Sequence, residues 1–236
     1  MDVAAYYQAV ASRRQTIMDK CIADQPVFAQ HIASHNFLED FGKMADVIVG
    51  KSKDILLQAC REYQYSLEAI ILGNYRHAFS SLRLSFELFV AAIYFSGHEM
   101  KMQLWLVGSD DLKWGTINDK DTGVFSHTFF QAFNPELKPY GKQYLTMAGA
   151  VYRECSEYVH GNPGTHEDVT ARLSYNRERV RSYHEKVETV RLCVIVAFVT
   201  RYIREMSVET RSQFEGIILE SLGQYPEIQA IFGAEN

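Results

Sequence analysis

The sequence predicts an all-α protein whose core is an up-and-down bundle of four long helices. Apolar residues recur at spacings of three and four in the long central segments, and this period places them on one face of a helix. Short stretches rich in Gly, Asn and Pro separate the segments, and none of the chain has the apolar–polar alternation of a strand. Long helices joined by short turns pack as neighbours in a bundle.

The first two core helices are predicted on either side of Gly73-Asn74. The first ends at that stop, and its apolar positions share one face. They are Ile55, Leu56, Ala59, Tyr63, Leu67, Ile70 and Ile71. The second covers residues 75–95 and ends at Ser96-Gly97, where glycine favours a helix C-cap. We expect the two to form an antiparallel hairpin.

The segment 101–139 is broken by three glycines and two prolines, which predicts a connector with one short aromatic helix near residues 124–133. The third core helix follows Pro139 and ends at His160, before a Gly-Asn-Pro-Gly stop. The fourth is expected over residues 167–206 in one or two pieces, with Val187, Val190, Leu192, Val194, Ile195, Phe198, Val199 and Ile203 inward.

The 236 residues predict a single all-helical domain, 1–236. Within it we expect a helical extension at 1–50, the bundle core at 55–206 and further helices at 207–236. Four widely spaced cysteines without C-x-x-C spacing favour a reduced compartment. No signal peptide is visible, and the apolar run 192–199 is too short to span a bilayer. We therefore expect a cytoplasmic protein with no membrane partner.

The net charge of −5 argues against a general nucleic-acid coat protein, which needs many cationic contacts to phosphates. Residues 171–204 are nevertheless cationic, with eight Lys and Arg against three Glu. Two interpretations stay open: a solvated helix face with ion pairs between successive turns, or a surface that follows phosphates. On the second interpretation the RNA-binding residues are Arg172, Arg177, Arg179 and Arg181.

Arg153 and His160 lie seven residues apart near the end of the third predicted helix. Seven residues make two turns, so both side chains project from one face. A guanidinium offers forked donors to a phosphate, and an imidazole exchanges protons near neutral pH. The pair therefore indicates phosphodiester cleavage. Two structural alternatives remain beside it: Arg153 in an ion pair with Glu154 or Glu157, and His160 as a cap of the helix end.

Arg153, six intervening residues and His160, at a helix end followed by Gly161, resemble the R-x(4–6)-H motif of the HEPN superfamily of small helical proteins. The segment 78–88 resembles an earlier bundle helix of that family, with Arg83 and Glu87 inside an apolar pattern. The resemblance covers residues 55–206. It implies a metal-independent endoribonuclease acting as a toxin or effector in bacterial defence or a toxin–antitoxin system, although other members of the fold lack the motif and only bind partners.

The resemblance implies that His160 acts as general base or acid when a ribose 2′-OH attacks the adjacent phosphorus. Arg153 would hold the phosphate and stabilise its developing charge, leaving a 2′,3′-cyclic phosphate without a metal or other cofactor. The family often has Asn, Asp or His after the motif Arg, whereas this chain has Glu154. The supporting residues expected around the pair are Glu154, Glu157, Tyr158, Arg83 and Glu87.

The resemblance also implies a homodimer that places two motif pairs together at a self-complementary interface. The expected partners are a second copy of the chain, an RNA substrate and an antitoxin or another protein of a defence system. Two other classes of function stay open. One is a non-catalytic helical module for dimerisation or protein interaction, and the other is a nucleotide sensor that uses the cationic segment.

Overall fold

The computed structural model describes residues 2–160, 162, 165 and 173–233, and across these ranges the chain is helical with no strand. The predicted all-α bundle is confirmed. The helices are α1 (Val3–Ala23), α2 (Gln25–Val47), α3 (Lys51–Ile71), α4 (Tyr75–Ser96), α5 (Glu99–Leu106), α6 (Trp114–Ile117), α7 (His127–Phe133), a 3-10 helix (Pro135–Tyr140), α8 (Gly141–His160), α9 (Arg177–Tyr202), α10 (Val208–Ser212), α11 (Glu215–Leu222) and α12 (Pro226–Gly233).

Five long helices of the described ranges enclose the core. α3 and α4 form the predicted hairpin, α8 packs on α4, and α9 contacts α8, α4 and α2. α2 also packs on α3 and so completes the enclosure. Phe41 and Met44 of α2 are each 1% exposed. The segment expected as an extension therefore supplies one wall of the core.

Local sequence explains where several helices begin and end. Gly73 follows α3 with φ +74, a left-handed conformation that glycine adopts without steric cost. Ser126 accepts a hydrogen bond from the Phe129 amide at 3.1 Å, and so caps α7. Asn176 does the same for α9 by accepting from the Arg179 amide at 3.0 Å. The first part of the predicted fourth helix, residues 167–172, lies outside the described residues.

α4 is the central helix of the bundle. Within the described ranges it alone is long and apolar enough to cross a membrane by length and composition, and 78% of that stretch is buried by its neighbours. Burial of this extent is typical of a helix in the core of a domain. Two charged residues of α4, Arg83 and Glu87, face α8, the helix that carries the motif.

Candidate functional site

Arg153 and His160 lie on the outward face of α8. Tyr144, Ala148 and Val151 of the same helix point into the core. Successive turns on the opposite side present exposed residues at spacings of three and four, as one helix face requires. This outward face consists of Thr146, Ala150, Arg153, Glu157 and His160. The predicted placement of both motif side chains on one helix face is therefore observed.

Neither motif side chain has a hydrogen-bonding or ion-pair partner among the residues that the structure describes. Arg153 does not pair with Glu157 or Glu154, because Glu154 turns to α9 and binds Lys186 at 2.7 Å. His160 is the last residue of α8. The neighbouring Val159 carbonyl accepts a hydrogen bond from Arg76 at 3.3 Å, so a cation of α4 helps to close this helix end.

Arg83 lies beside the motif in the groove between α4 and α8. Its Nε donates to Ser156 Oγ at 2.9 Å, its terminal nitrogen bonds the Tyr152 hydroxyl, and Glu87 lies 3.5 Å away. Ser156 is one turn from Arg153 in one direction and one turn from His160 in the other. Arg83 thus fixes the helix that carries both motif residues.

Glu87 is the acidic member of this group. Tyr152 donates a hydrogen bond to it at 3.2 Å, and burial raises the pKa of Glu87 while the Arg83 charge opposes that shift. Trp114 covers the other side of the group, with its ring stacked on Tyr152 at 4.0 Å. The arrangement is a half-buried polar cluster that stabilises the α4–α8 contact.

Tyr158 is a core residue. It is 8% exposed, its ring stacks on Phe79 at 4.0 Å, and its hydroxyl bonds Arg179. Burial raises the pKa of the Tyr158 hydroxyl. Tyr158 and Arg179 therefore join α8 to α4 and α9 rather than facing solvent beside Arg153.

Most described cations of the 171–204 segment have carboxylate or aromatic partners. Arg177 binds Asp24 at 2.9 Å, Arg201 binds Glu205 at 2.6 Å, and Arg204 binds Glu136. Arg181 is exposed, and Arg172 lies outside the described residues. A continuous phosphate-following face is therefore not formed by these side chains, which favours the interpretation as paired charges.

Arg191 is the least exposed of these cations and was not singled out from the sequence. It is 6% exposed, binds Glu220 at 2.7 Å and lies 3.7 Å from Asp40. Its guanidinium also covers the Phe37 ring at 4.2 Å. The next residue, Leu192, was expected to face the core but is only half-buried. The helix face that meets α2 and α11 carries Arg191 instead.

A buried histidine pair was also missed. His31 of α2 and His184 of α9 have ring centroids 5.4 Å apart, and His184 Nδ1 lies 2.8 Å from Ser34 Oγ. The His-x3-His spacing of His31 and His35 was the only sequence signal. Ser34 is 1% exposed, so its contact with His184 is a core contact and not an accessible nucleophile.

No three His, Cys, Asp or Glu side chains of the described ranges lie close enough to hold a metal ion. The acidic and histidine residues at 166–168 lie outside those ranges. No family model, curated protein or solved structure matches the chain. The geometry of α8 therefore carries the functional argument.

Proposed function

We propose that this protein is a metal-independent endoribonuclease in which Arg153 and His160 act on the RNA phosphodiester. The observation that carries the proposal is that both side chains are exposed on one face of α8 without partners among the described residues. Their neighbours Tyr152, Glu154 and Ser156 are all engaged with α4 or α9. A cation and an imidazole held free on a rigid helix suit a reaction on a phosphate better than a packing role.

The chemistry follows from the two side-chain types. His160 takes the proton from a ribose 2′-OH, or gives one to the leaving 5′-oxygen. Arg153 donates to the nonbridging phosphate oxygens, where negative charge develops in the transition state. The 2′-oxygen bonds to phosphorus as the 5′-oxygen leaves, so the product carries a 2′,3′-cyclic phosphate. An effector role in bacterial defence or a toxin–antitoxin system belongs to the same proposal.

A dimer completes this site. Residues 153 and 160 are separated by about 10 Å along the helix axis, which is a long reach for one phosphate, and a single His cannot be base and acid in the same step. If two α8 helices pack antiparallel across a two-fold axis near residues 156–157, Arg153 of each chain faces the partner's His160.

The activity test uses total RNA and a tRNA pool with the full chain in EDTA. We expect wild type to produce 2′,3′-cyclic phosphate ends. His160→Ala should lower cleavage roughly 100-fold or more, as loss of a general acid or base does. Arg153→Ala should lower it by about 100- to 1,000-fold. The matched controls Arg61→Ala and His127→Ala remove exposed residues elsewhere and should cleave like wild type.

Cleavage that persists in folded Arg153→Ala and His160→Ala variants would refute the assignment of the site. If wild type does not cleave, the non-catalytic interaction module becomes the better explanation.

The dimer is tested separately by cross-linking. Glu157→Cys puts a thiol next to the proposed axis, so mild oxidation should form a disulfide between two chains. Gln143→Cys, on the same helix about 20 Å from that point, should not cross-link. Equal cross-linking of the two variants, or a monomer of Glu157→Cys at the concentration that supports cleavage, would contradict this geometry.

A further inference from the structure

A second feature of the molecule lies at the other end of α8, where the 3-10 helix meets the C-terminal helices. A cavity of about 320 Å³ opens between them. Leu137, Ile203 and Ile231 line it with aliphatic carbon. This volume is at the small end of the range of ligand pockets, roughly 300–1,000 Å³.

Asn134 is one of the polar residues that line this cavity. The residue is 2% exposed, and its Nδ2 is buried without a hydrogen-bond partner in the described part of the chain. Asn at a helix N-cap usually bonds a backbone amide of the first turn, yet the side chain of Asn134 makes no such bond to the 3-10 helix. Burying an amide without a partner costs about 1–3 kcal/mol, so a ligand group at this position would be stabilising.

Arg211 supplies a cation to the same cavity. Its Nε is buried without a partner, and its one hydrogen bond within the described ranges is a long one, from a terminal nitrogen to the Met206 carbonyl at 3.5 Å. The two carboxylates that line the cavity each have another partner: Glu136 pairs with Arg204, and Glu227 accepts a hydrogen bond from Tyr140 at 2.8 Å. Among the described residues Arg211 therefore has no carboxylate.

We propose that this cavity binds a small monocarboxylate with a short hydrocarbon or aryl body. Arg211 and the amide of Asn134 would hold the carboxylate through charge-assisted and neutral hydrogen bonds. Leu137, Ile203 and Ile231 would cover the apolar body. An aliphatic wall suits a ligand with one charged end, whereas a phosphate would bring a second charge, and the other described cation of the lining, Arg204, is already paired with Glu136.

The test is isothermal titration calorimetry of the full chain with hexanoate, octanoate and benzoate, each compared with the matching alcohol. We expect saturable binding of at least one carboxylate and at least tenfold weaker binding of its alcohol. Arg211→Gln should weaken carboxylate binding tenfold or more, and Asn134→Leu should weaken it by a smaller factor. The control Arg61→Gln removes an exposed arginine of α3 and should bind like wild type.

A third variant separates loss of the site from loss of the fold. Ala230 is exposed at the cavity wall, so Ala230→Trp should fill the cavity without disturbing the core and should abolish binding at an unchanged melting temperature. Equal binding of acid and alcohol, wild-type affinity in Arg211→Gln, or no binding of any of the three acids would overturn the proposal. The readout uses no RNA, so it is independent of the proposed cleavage.

Discussion

The buried histidine pair makes the stability of this protein sensitive to acid. His31 is 6% and His184 is 2% exposed. Burial lowers the pKa of His31 from 6.5 to about 4, with a further contribution from His35. Burial lowers the pKa of His184 to about 3, with a further contribution from His31. Both imidazoles are therefore neutral in the folded protein at pH 5, whereas unfolded histidine near its ordinary pKa of 6.5 is mostly protonated.

Proton linkage gives the sign and the size of this effect of acid on stability. At these two histidines the unfolded chain binds more protons than the folded chain near and below pH 6.5, so their contribution to the free energy of unfolding falls as the pH falls towards the folded pKa values. One pH unit corresponds to about 1.4 kcal/mol per proton. Between pH 7 and pH 5 each histidine thus lowers the free energy of unfolding by about 2 kcal/mol, and the pair lowers it by about 4 kcal/mol. This is a large part of the ~5–15 kcal/mol that stabilises a typical domain.

The assay is urea unfolding followed by far-UV circular dichroism at pH 7 and pH 5. Burial raises the pKa of carboxyl groups such as Glu188, and these stabilise the fold as the pH falls. The histidine contribution is therefore read as the difference from His31→Phe/His184→Gln, which keeps a ring beside Phe28 and a hydrogen-bonding group beside Ser34. His127→Gln is the exposed control. An equal loss of stability in wild type and the double variant would refute the reasoning.

Three further predictions concern packing. Arg191→Met should lower the free energy of unfolding by roughly 3 kcal/mol in urea titrations, because it leaves Asp40 half-buried and without its cation; replacing Asp40 by Leu as well should recover part of the loss. Gly73→Ala should lower the free energy of unfolding by about 1–2 kcal/mol, since φ is +74 and the new Cβ would lie 2.9 Å from a side-chain carbon of α1. An unchanged free energy of unfolding would contradict that strain. In thiol labelling of the native protein, half-buried Cys60, whose pKa burial raises to about 11, should react before fully buried Cys193, which should react only on unfolding.

The helices were predictable because their signals are local. The apolar period and the stop at Gly73 fix α3 and α4, and the sequence Gly-Asn-Pro-Gly predicts a helix end near His160, where α8 ends. The role of α2 in the core was missed although Phe37, Phe41 and Met44 repeat at helical spacing. Periodicity shows that a helix has a buried face, but it does not say which other helix covers that face.

The functional residues differ in the same way: those set by local sequence could be predicted, and those set by distant parts of the chain could not. Exposure of Arg153 and His160 follows from their position on one amphipathic helix, so the motif face could be predicted from spacing alone. The burial of Arg191 could not, because it depends on Asp40 and Glu220, which are far away in the chain. The apolar cavity is likewise built from three separate segments around residues 134–137, 203–211 and 227–231, and no local pattern brings these together.

The two proposed sites lie towards opposite ends of α8, whose 20 residues make a helix about 30 Å long. The cavity end of α8 is tied to the C-terminal helices by a 3.0 Å contact between the Tyr144 and Tyr225 hydroxyls, whereas the motif end is tied to α4 through Arg83. A ligand that shifts α12 would therefore act first on the start of α8. It could influence His160 only by moving the whole helix against α4, since the packed interior of α8 has no break that would absorb the displacement.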